Sequence, residues 1–183
     1  MERLRFPHCP IAAMRGSLSL MRSGELDYVD EVVVLQKGLA SKGNEYKLVY
    51  AHRFLGFINK RGELTTDGYL LQEQSRYTPT LQNAIIRGYG YPLVGLVIDV
   101  KGSLDTAQNF FIKADMRLQT AIKTARLFGY LFEEAKMLEQ PPRRKLSSEA
   151  IAQALVEDQT ISPEQIAAII DRARQIDNIL NQL

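Results

Sequence analysis

Apolar residues recur at helical spacing through the first third of the chain. Three segments show this pattern and are separated by glycine-containing breaks: residues 10–22, 25–37 and 45–55. Apolar positions three and four residues apart share one face of a helix, so each segment predicts an amphipathic helix. Residues 57–65 then place apolar residues on both sides of a polar tip, which predicts a two-stranded hairpin. Thr66 or Asp67 is expected to cap the helix that follows.

The second half of the chain has a less regular pattern. Residues 79–98 are apolar with an aromatic-glycine break at 89–92, and two amphipathic helices are expected at residues 103–115 and 117–128. The next residues, 130–132, fit a short strand. No partner strand and no basic tip follow it, so any wing here is vestigial. A linker at residues 141–145 precedes two further helices.

One short phrase occurs twice in the chain. Residues 53–58 read RFLGFI, and residues 126–131 read RLFGYL, 73 positions later. In both copies a glycine stands among large apolar residues at the end of a helical pattern. Since glycine commonly ends a helix, the repeat predicts a helix end at Gly56 and again at Gly129.

Residues 50–70, YAHRFLGFINKRGELTTDGYL, resemble winged-helix DNA-binding domains in their order of helix end, glycine, hairpin and capped helix. The tandem arrangement is similar to bacterial regulators with paired winged helices and to the recognition parts of type IIS restriction endonucleases. The resemblance implies a mainly α fold with small β-hairpins. It divides the chain into a winged-helix domain at 1–78, a winged-helix-like domain with a reduced wing at 79–140, and a basic linker with C-terminal helices at 141–183.

Composition narrows the class of protein. The chain has 183 residues, one cysteine and two histidines, so an internal disulfide and a Cys/His zinc site are excluded. We therefore expect no metal and no cofactor. No apolar stretch reaches the roughly 18 residues that a membrane span needs, and the N-terminus has no apolar signal core. These features predict a cytoplasmic protein that does not enter a membrane.

Charge is unevenly distributed along the chain. The net charge is +2, but residues 1–145 contain 21 Lys and Arg against 15 Asp and Glu, whereas residues 146–183 contain 2 against 6. A basic body with an acidic tail is compatible with nucleic-acid binding by the body and a separate interaction through the tail. The same distribution is common in proteins that bind no nucleic acid.

The resemblance implies that the third helix of each domain enters the major groove of duplex DNA. In the first domain the implied contacts are Lys42, Asn44, Lys47 and Tyr50, with Lys60 and Arg61 at the hairpin tip. In the second domain the matching face holds Arg117, Gln119, Thr120, Lys123 and Thr124. Arg and Gln can hydrogen-bond base edges, and Lys can contact phosphate. The alternative is an ordinary solvated helix face in each domain.

Two later segments have their own alternatives. The linker residues Arg143, Arg144 and Lys145 could contact phosphates or could be a solvated linker. The last helix carries apolar residues at heptad spacing that include Ile166, Ile169, Ile176 and Leu180. That helix either docks on the body of the protein or forms a homodimer or partner interface.

Three function classes remain after these considerations. The first is a non-catalytic protein that binds double-stranded DNA, as a regulator or as the recognition subunit of a larger DNA-processing system. The second is a tandem winged-helix scaffold for protein–protein interaction. The third, more remote, is a metal-dependent nuclease, because residues 96–101 place an acid, Asp99, and a lysine, Lys101, after an apolar run. Such a site needs a second carboxylate nearby.

Overall fold

Helices make up most of the molecule in the part of the chain that the computed structural model describes, which is residues 5–99, 101–139, 167, 171, 172 and 174–176. The helices with defined bounds are α1 (Ile11–Arg22), α2 (Glu31–Gln36), α3 (Glu45–Leu55), α4 (Thr66–Leu70), α5 (Gln74–Tyr89), α6 (Tyr91–Asp99), α7 (Leu104–Lys113) and α8 (Leu118–Glu134). The described residues nearest the C-terminus are also helical. The prediction of a mainly α fold is confirmed.

The start of α2 and the capping residue of α4 differ from the predictions. Helix α2 begins at residue 31 rather than 25, because the carboxylate of Asp30 accepts a hydrogen bond from the backbone N–H of Val33 at 2.7 Å. Helix α4 is capped by Thr65 and not by Thr66 or Asp67, since Thr65 Oγ1 accepts from the Gly68 N–H at 3.2 Å.

The predicted hairpin at residues 57–65 is not formed as a pair of strands. The described residues there make two isolated antiparallel bridges, Ile58 with Leu64 and Tyr28 with Glu63. The side chain of Asn59 explains the short pairing, because its Oδ1 accepts from the N–H groups of Arg61 at 2.8 Å and Glu63 at 3.2 Å. The segment is therefore a side-chain-stabilised turn instead of a wing of two strands.

The two copies of the repeated phrase have different conformations. Gly56 ends α3 in the left-handed region, with φ of 78°, and the N–H of Phe57 donates to the carbonyl of His52 at 3.0 Å. Gly129 lies inside α8, which continues to residue 134. The predicted helix end at Gly129 and the strand at residues 130–132 are therefore wrong. The apolar residues after Gly129 are buried along the helix instead.

One aromatic cluster joins the parts of the sequence that the resemblance assigns to different domains. Its members are Phe6, Phe54, Tyr89, Phe110, Phe111 and Phe128. The Tyr89 ring centroid lies 5.0 Å from that of Phe54 and 4.8 Å from that of Phe128. The boundary placed at residues 78 and 79 falls within α5. In the described residues the apolar side chains therefore form one contiguous core.

The C-terminal part of the chain contributes to this core. Ile176 is fully buried, and its side chain contacts the backbone at Gly90, between α5 and α6. The guanidinium of Arg172 lies 4.8 Å from the ring centroid of Phe54 in α3. Ile176 thus packs within its own chain, which favours the docked alternative over an oligomer interface for this residue. Its predicted companions Ile166, Ile169 and Leu180 lie outside the described residues.

Candidate nucleic-acid interface

The start of α3 brings the first three candidate DNA contacts together. Lys42 is exposed immediately before the helix, and Asn44 is the residue at its N-cap. Lys47 Nζ donates to Asn44 Oδ1 at 2.8 Å, and Asn44 Nδ2 donates to Ser41 Oγ at 3.0 Å. Because these partners are neutral, the hydrogen bonds orient the Lys47 ammonium without neutralising its charge.

Tyr50, one turn further along α3, is committed to contacts within the chain. Its hydroxyl donates to the backbone carbonyl of Arg5 at 2.7 Å, although the residue as a whole remains 37% exposed. Burial raises the pKa of Tyr50, and the positive charges of Arg172 and Arg5 partly oppose that shift. The hydroxyl therefore anchors the N-terminal segment. Of the Tyr50 side chain, only the exposed part of the ring therefore remains a candidate DNA contact.

Helix α8 presents the second set of candidates. Arg117 precedes the helix at its N-cap, and Arg117, Gln119 and Lys123 are exposed while Thr120 is partly buried. Thr124 is fully buried, so it does not belong to the exposed face that the repeat predicts. The remaining four residues share the N-terminal half of α8, which contains no acidic residue.

The N-terminal segment lies between α3 and α7. Phe6 fixes it there, because its ring centroid lies 6.1 Å from that of Phe54 in α3 and 5.0 Å from that of Phe111 in α7. His8 follows two residues later and is half-buried. The segment therefore carries a titratable side chain next to residues that pack on α3.

His8 lies within electrostatic reach of a lysine from each of these helices. The pKa of His8 is lowered first by burial, then by the charge of Lys47 in α3 and, more weakly, by that of Lys123 in α8. A hydrogen bond with the backbone of Phe6 acts in the opposite direction. We name His8, Lys47 and Lys123 the cationic junction. Among the described residues, neither lysine forms a salt bridge.

Lys60 and Arg61 are exposed in the turn that follows α3. Arg53, on the last turn of that helix, donates from Nη2 to the carbonyl of Lys60 at 3.1 Å. This bond ties the turn to the C-terminal end of α3 while leaving both cationic side chains free to contact solvent. The linker candidates Arg143, Arg144 and Lys145 lie outside the described residues.

Sequence reasoning missed three basic residues near α3: Arg5, His8 and Arg172. For His8 the sequence indicates only that no Ser, Cys or acidic residue accompanies it in the pattern of a catalytic triad. For Arg172 the sequence contained no indication, since its contact with Phe54 depends on tertiary packing.

The carboxylates of the nuclease hypothesis are not assembled into a site. Asp99 ends a helix, α6, whereas that hypothesis requires a strand there. Asp67 forms an ion pair with Arg87 at 2.6 Å. Over the described residues, no group of three or more His, Cys, Asp or Glu side chains is arranged to hold a metal ion. None of the helices in that part of the chain is long and apolar enough to cross a membrane.

Comparisons of the chain with known protein families, with curated proteins and with solved structures find no match.

Proposed function

We propose that the chain binds double-stranded DNA without catalysis, through a surface centred on the cationic junction. The observation that carries the proposal is that the start of α3 and the N-terminal half of α8 both present candidate contacts, with the Lys47 ammonium oriented by Asn44 Oδ1 at 2.8 Å and no acidic residue in that half of α8. Each lysine was implied as a DNA contact by its own copy of the repeat. The positive charges of both lysines lower the pKa of His8, which supports their lying on the same side of the molecule.

The positive charges of this surface favour the binding of a polyanion. The charges that influence His8 and Tyr50 are all positive, namely those of Lys47, Lys123, Arg172 and Arg5. Because like charges raise the potential together, such a surface attracts the phosphate backbone of nucleic acid. Phosphate contacts would orient the duplex, and the side chains of Asn44 and Gln119 are suited to contact base edges.

The order of the elements supports a winged-helix-like unit as the scaffold of this surface. Helices α1, α2 and α3 follow one another along the chain. Between α1 and α2, Tyr28 forms an antiparallel bridge with Glu63, which lies in the turn after α3. In such a unit the third helix enters the major groove. Helix α3 has 11 residues and carries Lys47, which is partly exposed. A regulator or the recognition subunit of a larger system would use the unit in this way.

Paired charge variants test the proposal. Lys47→Ala combined with Lys123→Ala is expected to weaken binding to duplexes of every sequence and to reduce the salt slope by roughly 2, because each lysine contacts phosphate. Fluorescence anisotropy with a labelled duplex measures both quantities. Arg76→Ala combined with Lys136→Ala is the matched control, since it removes two exposed positive charges that are not among the candidate contacts. An equal loss in both double variants would contradict the proposal.

The second candidate is a scaffold that binds another protein. It is favoured by the exposure of Val32 and Leu35, 58% and 40%, on one face of α2, and by the low net charge. A scaffold would flow through a heparin or random-duplex column at about 0.1 M salt, whereas a DNA-binding protein would be retained there and released near about 0.5 M.

A further inference from the structure

Helix α2 carries apolar residues on its outer side as well as on its inner side. All four of its central residues are apolar, yet of these only Val34 is fully buried, and Val32 and Leu35 are exposed. Residues three apart on a helix are neighbours on its surface, so Val32 and Leu35 form one apolar ridge. Val32 is the most exposed of the large apolar side chains in the part of the chain that the structure describes.

This ridge is held in a fixed position. The carboxylate of Asp30 accepts from the Val33 N–H at 2.7 Å and fixes the start of α2, while Val34 packs in the core. Beyond the other end of the helix, Lys37 Nζ donates to the carbonyl of Glu25 at 3.2 Å. A surface that is already ordered loses little conformational entropy when a partner binds to it.

The exposed valine adds little to the stability of the fold. A β-branched side chain loses rotamer freedom in a helix, so valine is a weaker helix former than most straight-chain residues. Since more than half of Val32 remains exposed, burial offsets little of this cost. These two facts favour a binding role for the ridge over a structural one.

Acidic residues lie beside the ridge. Residues 25–37 contain four Asp and Glu against one Lys, which leaves a net charge of −3. Asp27 and Glu31 are both exposed, and Glu31 lies four residues before Leu35, so these two side chains are neighbours on α2. Negative charge here repels phosphate and acidic proteins, and it attracts a basic partner.

We propose that the outer face of α2, made of Glu31, Val32 and Leu35, binds a basic amphipathic helix of a partner protein. Apolar residues three or four apart on that helix pack on the ridge, and its Lys or Arg side chains pair with Glu31 and Asp27. Helix α2 has six residues and is about 9 Å long, so the contact is small and its dissociation constant is expected to be about 10–100 μM. The proposal goes beyond DNA binding and shares no residue with the candidate DNA contacts.

A peptide pool tests the chemistry of the partner. The peptides have about 14 residues, with apolar residues fixed at helical spacing and the remaining positions randomised between Lys and Glu. The immobilised full chain is incubated with the pool, and sequencing measures the Lys content of the retained peptides. We expect the retained peptides to be enriched in Lys. Retention without this enrichment, or no retention, would overturn the proposal.

Paired apolar variants locate the site, with one enriched peptide as the labelled probe in fluorescence anisotropy. Val32→Ser combined with Leu35→Ser should weaken binding by more than about tenfold, because it removes both apolar anchors. Tyr69→Ser combined with Leu118→Ser is the matched control, since it removes two exposed apolar side chains from α4 and α8. Equal losses in the two double variants would mean that the peptide does not bind at α2.

A charge variant tests the acidic part of the surface separately. Asp27→Asn combined with Glu31→Gln should weaken the same peptide roughly three- to tenfold at about 0.05 M salt, because exposed charge pairs are individually weak and are screened by salt. Asp30 is left unchanged, since its carboxylate caps α2. An affinity equal to that of the wild type would contradict a basic partner.

A second copy of the chain is the alternative occupant of the ridge. Sedimentation equilibrium at about 50 μM measures the mass of the wild type and of the Val32→Ser, Leu35→Ser variant. A wild type that is monomeric supports the proposal, because the ridge is then free for a partner. A dimer that dissociates in the variant would overturn it. None of these experiments contains DNA, so their failure leaves the proposed function in place.

Discussion

His52 lies on the buried side of α3, where its Nε2 is 2.8 Å from the Oγ of Ser17. The Ser17 hydroxyl already donates to the carbonyl of Met14 at 2.9 Å, so the imidazole must be the donor in its contact with Ser17. The other ring nitrogen, Nδ1, is buried and has no hydrogen-bond partner. Protonation would place a charge there without an acceptor, and burial accordingly lowers the pKa of His52 to about 4.

This pKa makes the stability of the protein depend on pH. The unfolded chain binds a proton on His52 near the ordinary histidine pKa of 6.5, whereas the folded chain does so only near 4. The free energy of unfolding is therefore constant above that range and decreases as pH falls through it. Between pH 7.5 and 5.0 we expect a loss of about 2 kcal/mol from this residue, measured by urea unfolding.

His52→Gln supplies the comparison, because it can still donate to Ser17 but does not titrate. Its stability should change much less between the two pH values, even if it is lower at both. The His8→Gln variant controls for the smaller effect of the other histidine, whose pKa is also lowered. An unchanged pH dependence in His52→Gln would contradict the assignment.

At the scale of elements, the repeated phrase shows how context decides whether a glycine ends a helix. After Gly56 the chain turns, and Arg87 holds the turn by donating from Nη2 to the Leu55 carbonyl at 2.9 Å and to Asp67 at 2.6 Å. After Gly129 the helix continues, and the glycine lets the side chain of Leu104 in α7 approach the α8 backbone. The same six-residue pattern therefore has two structural roles.

Alanine at the two glycines should have opposite consequences. Gly56→Ala forces a Cβ into the left-handed region, with φ of 78°, and to within 2.5 Å of the Arg87 guanidinium, so we expect a loss of about 1–2 kcal/mol or more. Gly129→Ala gains helix propensity worth about 1 kcal/mol, and Leu104 is 44% exposed and can rotate away. Its stability should match or exceed that of the wild type.

Denaturant unfolding of both variants under one condition measures this contrast. A loss at Gly129 as large as that at Gly56 would mean that the contact of Leu104 with α8 is more rigid than its exposure indicates.

The helices that could be predicted from sequence are those whose signals are local. The bounds of α3 follow from its apolar face and Gly56, and α1 and α7 were placed within two residues. The turn after α3 could not be predicted correctly, because the side chain of Asn59 satisfies backbone groups that strands would otherwise pair. The continuation of α8 was missed because it depends on α7 and on buried residues beyond Gly129.

At the scale of the whole molecule, both ends of the described chain pack against helices that are distant from them in sequence. Phe6 inserts into the aromatic cluster, and Arg172 and Ile176 pack at Phe54 and Gly90. Such contacts join residues distant in sequence, and periodicity within one segment contains no information about them. For the same reason the sequence supplied Lys47 and Lys123 as separate candidates. Their proximity to His8, and the commitment of the Tyr50 hydroxyl, required the fold.

The central claim is that this surface binds duplex DNA through its phosphates, and the salt dependence of binding by the wild type tests it most directly. With roughly three to six phosphate contacts, the logarithm of the association constant should fall linearly with the logarithm of salt concentration, with a slope of about −3 to −5 between about 0.05 and 0.2 M. The slope should be the same for duplexes of unrelated sequence. Failure to bind at about 0.05 M salt, or a slope near zero, would contradict the claim.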